Sequence, residues 1–340
     1  MRRVFVATLV ALAFWAPPVF SAEDLGIYET VLESSQSFTD TATALENEFN
    51  QSEFKLHATH DVRVPEKKHQ ARLYVLTSPA YMAGAAAESP RTVSAQVLRV
   101  AVYTLGDEQK TYVNMANPVA HAMVYYAGSK NYADLVEGAR TAAAGIRTTV
   151  QALPGNAVSE QLEPVRSEKK YRKFNGDGPA KMMAKFRNWE ESQLLVREDS
   201  AEDFDAVVDQ VAAALTARDV LDAEATEGWE IVARIPFGDD AVYLGLTNPY
   251  IEDKMVRINS RFRSAGKTEA APYPGVDHVT ALPTDVLVVR DGSRTEVLHY
   301  GQMWRMQLYF WDSGYRAFTA NMGVPGEIAD SIEEAITGAD

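Results

Sequence analysis

Leu73–Tyr81 reads LYVLTSPAY and Tyr243–Ile251 reads YLGLTNPYI, and the likeness of these two stretches decides the fold. Each is a mostly apolar strand pattern closed by Thr, a small polar residue and Pro, which ends a strand by removing a backbone donor. Outward from them the same order recurs. Phe38 and Phe204 stand in helical patterns 166 residues apart, Leu76 and Leu246 close strands 170 apart, and Lys110 and Arg294 open KTYV and RTEV 184 apart. A constant order with stepped changes of length is the pattern of an old duplication. The sequence therefore predicts an α+β fold: two tandem copies of a small antiparallel or mixed sheet packed against helices.

Within residues 24–153, periodicity predicts a strand over 27–32 and a helix from Ser37 to about Asn50, with Asp40 three residues after its cap. Strands follow over 55–64 and 71–76, then a hairpin over 98–115 turning at Gly106-Asp107. Leu135, Ala139, Ala142, Ile146 and Val150 set a helix over about 132–152. Residues 192–338 repeat the order: a strand over 193–197, a helix over 203–218 behind Ser200 and Asp203, strands over 229–235 and 241–247, a hairpin over 286–298 turning at Asp291-Gly292, and a closing helix over 327–337. The second copy carries 14 extra residues within 252–280, a place where loops commonly acquire function.

Residues 154–191 belong to neither pattern, and Asn156 to Pro164 read as a linker. Lys169, Lys170, Arg172 and Lys173 then cluster, and a short amphipathic helix over 179–189 offers Met182, Met183, Phe186 and Trp189 as an apolar face. Two readings stand: weak contact with an anionic membrane surface or an acidic partner, or packing across the two halves.

Arg2 and Arg3 followed by apolar Val4 to Trp15, then Pro17 and Pro18, read as an export signal over residues 1–21. Its apolar run, about a dozen residues, is short for a bilayer span. The expected location is the periplasm. The chain has 33 basic and 47 acidic residues, a net charge of −14; losing the two leader arginines leaves −16, which argues against general nucleic-acid binding. It contains no cysteine, which excludes disulfides, thiolate metal sites, Cys nucleophiles and covalently attached haem.

Thr77-Ser78-Pro79, Val100 to Tyr103, Lys110 to Val113 and Asn117-Pro118 in the first half, with Thr247-Asn248-Pro249, Leu282-Pro283 and Val286 to Val289 in the second, resemble the domain of unknown function 302 family. The resemblance spans most of both halves and implies a compact α+β domain with a four- or five-stranded sheet. It brings no reaction. The copies depart from each other where Leu98-Arg99 faces Leu282-Pro283 and where Asn117-Pro118 faces Gly301-Gln302.

Signatures for nucleotide phosphates, dinucleotides, nucleophile elbows and zinc helices are missing. His57 and His60 are three apart, but in a strand that spacing points them to opposite faces. Met115, His121, His299 and Met303, near the hairpin ends, are the soft donors that suit Cu(I) or non-covalent haem; ordinary core packing is the competing account. Thr77 or Ser78 beside a histidine, with Glu230, Asp239, Asp240 and Asp312 as acids, is the hydrolytic option. Trp229, His299, Trp304, Tyr309 and Trp311, with Phe310 and Tyr315, are concentrated in the second half and either line an apolar groove or form that half's core.

The expected function is thus non-catalytic binding of a small apolar ligand or a periplasmic protein, in the insertion or between the copies. A redox or metal-handling role is the alternative, and hydrolysis the third. The sequence identifies no cofactor.

Overall fold

The computed structural model describes residues 24–64, 69–106, 108–178, 181–184, 189–199, 203–217, 228–262, 275–311, 319 and 321–338. The expected leader, Asp107, Ser200, the insertion from 263 to 274, Phe186, Asp312 and Tyr315 lie outside the described residues.

The first half runs β1 (Leu25–Ser34), α1 (Phe38–Gln51), β2 (Lys55–Val62), β3 (Ala71–Thr77), α2 (Pro79–Ala85), a first 3₁₀ helix (Pro90–Gln96), β4 (Leu98–Leu105), β5 (Lys110–Ala116), α3 (Pro118–Tyr125), α4 (Tyr132–Gln151) and β6 (Gly155–Arg166). Short helices α5 (Glu168–Arg172), α6 (Lys181–Ala184) and α7 (Trp189–Ser192) lead to the second half. That half runs β7 (Gln193–Asp199), α8 (Phe204–Ala217), β8 (Glu230–Phe237), β9 (Ala241–Thr247), α9 (Pro249–Phe262), a second 3₁₀ helix (Val276–Ala281), β10 (Thr284–Asp291), β11 (Arg294–Tyr300), α10 (Gln302–Phe310) and α11 (Val324–Thr337).

The fold is α+β with two separate antiparallel sheets, ordered β2-β3-β4-β5-β1-β6 and β8-β9-β10-β11-β7. The five strands of the second sheet follow the order of the first five in the first; β6 is an additional outer strand. The hairpins pair Val102 with Val113 and Val288 with Val297, turning where Gly106 and Gly292 take positive φ. On one side the first sheet packs against α1 and α4, the second against α8 and α11.

Residues that read as strand ends also begin helices. Ser78 accepts the backbone N–H of Tyr81, Asn117 that of Val119 and Asn248 that of Ile251, and each is followed by Pro at the first helical position. Proline has no N–H to leave unpaired there, so one dipeptide stops the strand and starts the helix. Ser37 caps α1 through Asp40, as the spacing predicts. The expectation of a linker over Asn156 to Pro164 is corrected: these residues lie in β6, paired with β1 from Leu25↔Arg166 to Ser34↔Gly155. Polar, mostly exposed side chains disguise that strand, whose place comes from backbone pairing. In the linker, Trp189 is buried while Met182 is 75% exposed, so they do not form one apolar face.

The halves meet by exchange. The first 3₁₀ helix packs on β9 and β10, the second on β3, β4 and β5, and the edge strands β2 and β8 lie alongside each other. Both 3₁₀ helices are buried almost throughout.

Candidate functional site

Each exchanged helix is held by polar side chains of the opposite half. The carbonyl of Arg91 accepts from Gln193 Nε2 at 2.8 Å and Tyr300 OH at 3.3 Å, and the Arg91 guanidinium pairs with Glu296. Reciprocally, Asn114 Nδ2 donates to the carbonyl of Asp277 at 2.5 Å, and the ring of Tyr28 meets that of His278 edge-on at 4.6 Å. The contacts correspond in position but use different residues.

At the centre lies a buried polar cluster. Arg99 on β4 donates one terminal nitrogen to His121 Nε2 at 2.9 Å and to Tyr309 OH at 2.8 Å. Tyr309 OH and His121 Nε2 are 2.7 Å apart, and His121 Nδ1 donates to the carbonyl of Asn117 at 2.8 Å. Arg305 donates to the carbonyls of Ala281 and Pro283 at 2.9 and 3.0 Å, and Arg99 reaches the same Ala281 carbonyl at 3.5 Å. The two guanidiniums lie 5.5 and 5.4 Å from the centroid of the Tyr309 ring. Asp285 accepts from Tyr243 OH at 2.6 Å, and its other oxygen stands 3.7 Å from Arg305 Nε.

Burial and the adjacent Arg99 charge lower the pKa of His121 to about 3, so its imidazole is neutral and Nε2 is an acceptor. Burial likewise pushes the Tyr125 and Tyr243 hydroxyls well above their usual range. His121, Tyr125 and Tyr243 are thus held neutral near pH 7. The cluster joins the halves.

The proposed metal donors are spread over four elements in both halves. Met115 is fully buried in β5 of the first sheet, whereas His299 is on β11 of the second, bonded to the carbonyl of Tyr300 and to Glu333. His121 uses both ring nitrogens, and a guanidinium 2.9 Å away opposes a cation. Met303 is half-buried on α10. Among the described residues no three His, Asp or Glu side chains form a metal-holding group.

The aromatic residues named from sequence are each held by their own neighbours, and Trp304 and Tyr309 are connected through the rings of Tyr125 and His121. Trp229 is buried and donates to Ser331, Trp304 is buried and donates to the carbonyl of Phe174, and Tyr309 is in the central cluster. Trp311 is half-buried just after α10. Of the two hydroxyls considered beside a histidine, Thr77 meets one: its Oγ1 is 2.9 Å from His57, but Thr77 is 1% exposed and its hydroxyl is withheld from solvent.

A cavity of about 180 Å³ opens on the seam. Met82, Ala85, Ala86, Pro90 and Val93 from the first half and Phe237 from the second give it apolar walls; Glu88, Ser89, Gln96, Gly238 and Asp240 complete it. Apart from Asp240, named there only as a candidate acid, sequence reasoning gave these residues no site role, and it gave none to Arg99, Asp285 or Arg305. The two arginines did leave a signal, since each is a lone charge in a largely apolar run, VLRVAVY and MWRMQLYF.

No family model matches the chain, and no curated protein matches it. Among solved structures, the crystal structure of an uncharacterized conserved protein DUF302 from Bacillus stearothermophilus is a structural neighbour with TM-score 0.30 and 16% identity. The match covers 37% of this chain and 96% of that one. Among the described residues no helix is long and apolar enough to cross a membrane.

Proposed function

We propose that the chain is two diverged copies of one domain, of the unknown-function 302 kind, fused so that each completes the other. It is exported to the periplasm and acts by binding, not catalysis. Its ligand carries a compact apolar group that seats in the seam cavity. Support for the duplication is the repeated strand order, together with the echo of LYVLTSPAY in YLGLTNPYI.

The observation that carries the binding reading is that both halves build the cavity walls. An occupant touches Met82 and Val93 on one side and Phe237 on the other, so binding strengthens the junction. A volume of about 180 Å³ suits one small ring, since apolar cavities of ~150 Å³ take up benzene.

Ligand-observed magnetic resonance and thermal-shift assays with single-ring compounds such as toluene and indole test this on the mature chain. A bound compound should raise the unfolding temperature. Ala86→Trp, placed at the exposed mouth, should abolish that rise while leaving the protein folded. Absence of binding across the panel, or equal binding by Ala86→Trp, overturns the assignment.

A further inference from the structure

A dense run of positive charge lines a groove other than the seam cavity. In a chain with 47 acidic and 33 basic residues, Lys169, Lys170, Arg172 and Lys173 stand within five consecutive positions. Three of them line a groove of about 410 Å³ together with Glu168 and Ala127, between the end of α3 and α5.

The cations face outward because their neighbours are anchored inward. Tyr171 is fully buried and donates its hydroxyl to the carbonyl of Leu25 at 2.9 Å, fastening α5 to β1. Phe174 is buried beneath the Arg166 guanidinium, 4.7 Å from its ring, and against Trp304. With 171 and 174 directed into the core, Lys169 and Arg172 follow the i, i+3 spacing that places side chains on one helical face, and Lys173 follows at the C-cap. Like charges at that spacing repel, and an anion among them relieves the repulsion.

Arg172 is already positioned. Its guanidinium lies 4.1 Å over the Tyr132 ring and donates one bond, at 3.4 Å, to the carbonyl of Ala127. The remaining donors of the planar fork suit a tetrahedral oxyanion, flanked by two lysines as point charges. Among the described residues no carboxylate forms an ion pair with Lys169, Arg172 or Lys173. The volume falls within the ~300–1,000 Å³ of small-molecule sites, leaving room for an organic substituent against Ala127. A concave groove suits a discrete anion better than the flat surface of a bilayer, and the chain's net charge of −14 opposes approach to an anionic membrane.

We propose that this groove is a binding site for a small phosphate monoester free in solution, with Arg172 engaging the phosphate and Lys169 and Lys173 neutralising it. The site is separate from the seam cavity.

Calorimetric titration of the mature chain with phenyl phosphate, and with inorganic phosphate for comparison, tests the assignment. Saturable binding of phenyl phosphate is expected, with inorganic phosphate weaker and both weakened by added salt. Lys169→Ala/Arg172→Ala should reduce affinity at least about tenfold. Lys173→Glu should do the same through charge alone. Lys254→Ala, a cation stacked on Tyr250 in the second half, and Ala86→Trp should leave it unchanged. No saturable binding of either compound, or unaltered affinity in both groove variants, overturns the proposal. So does co-sedimentation with phosphatidylglycerol vesicles by a protein that binds neither soluble phosphate, an outcome that assigns the cluster to a membrane surface.

Discussion

Asp285 sets the electrostatics of the seam. It is 1% exposed, and the guanidiniums of Arg99 and Arg305 are buried around it. A buried charge is tolerable only when paired and hydrogen-bonded, and Asp285 supplies the carboxylate near Arg305 while accepting from Tyr243. Asp285→Asn keeps the volume but leaves two like charges in a poorly polarisable interior, so a loss of about 3–5 kcal/mol is expected in urea unfolding. Tyr243→Phe removes one hydrogen bond to a charged group and should cost about 1.5–3 kcal/mol. A smaller loss for Asp285→Asn than for Tyr243→Phe would show that the carboxylate does not balance the guanidiniums. This much was half legible in the sequence. An arginine inside an apolar strand signals a buried partner, but nothing near Arg99 in the chain names that partner, because Tyr309 lies 210 residues away.

At the scale of elements, the strands other than β6 were legible because alternation and turn glycines are local properties, and β3, β9 and both hairpins fall where the pattern predicts. The helices α2, α3 and α10 were not. All eight residues of α3 are buried, so it has no polar face to create a period, and its Asn-Pro start reads equally well as a strand stop. The pairing between elements of different halves is likewise invisible in sequence, and one such contact is expected to respond to pH. His60 on β2 meets Glu252 on α9 at 2.6 Å and Glu230 on β8 at 3.8 Å, while Glu252 also accepts from Thr247 and from the backbone N–H of Arg63. Burial alone would lower the His60 pKa; the hydrogen bond and charge of Glu252, with Glu230 and Asp61, raise it above 6.5. A raised folded pKa stabilises fully below the unfolded value of 6.5, and the contribution disappears as pH rises through the folded value. His60→Gln should therefore be less stable than the parent in mildly acidic buffer, with the gap closing in mildly alkaline buffer. His57, lowered to about 4 mainly by burial, and His121, lowered to about 3, run in the opposite sense, but both are common to the two proteins and cancel in the difference. A gap in urea midpoint that is constant with pH would remove His60 as a charged contact.

For the whole molecule, the exchange of 3₁₀ helices decides how it unfolds. Two domains joined only by a linker melt independently. Here Val93, Ala95 and Val97 of the first half are buried at the boundary with β9 and β10, and Val276, Val279 and Ala281 of the second at the boundary with β3, β4 and β5. Melting either half strips apolar cover and polar partners from the other, including the carbonyl of Ala281 that both Arg99 and Arg305 hold. The two sheets should thus unfold as one unit. Calorimetry is expected to give a single transition whose measured enthalpy matches the enthalpy from its sharpness. Asp285→Asn, though placed in the second sheet, should move that whole transition down and should speed amide exchange in β4 and β5 as much as in β10 and β11. Two resolved transitions, with only the second displaced by the substitution, would mean that the halves merely touch and that neither completes the interior of the other.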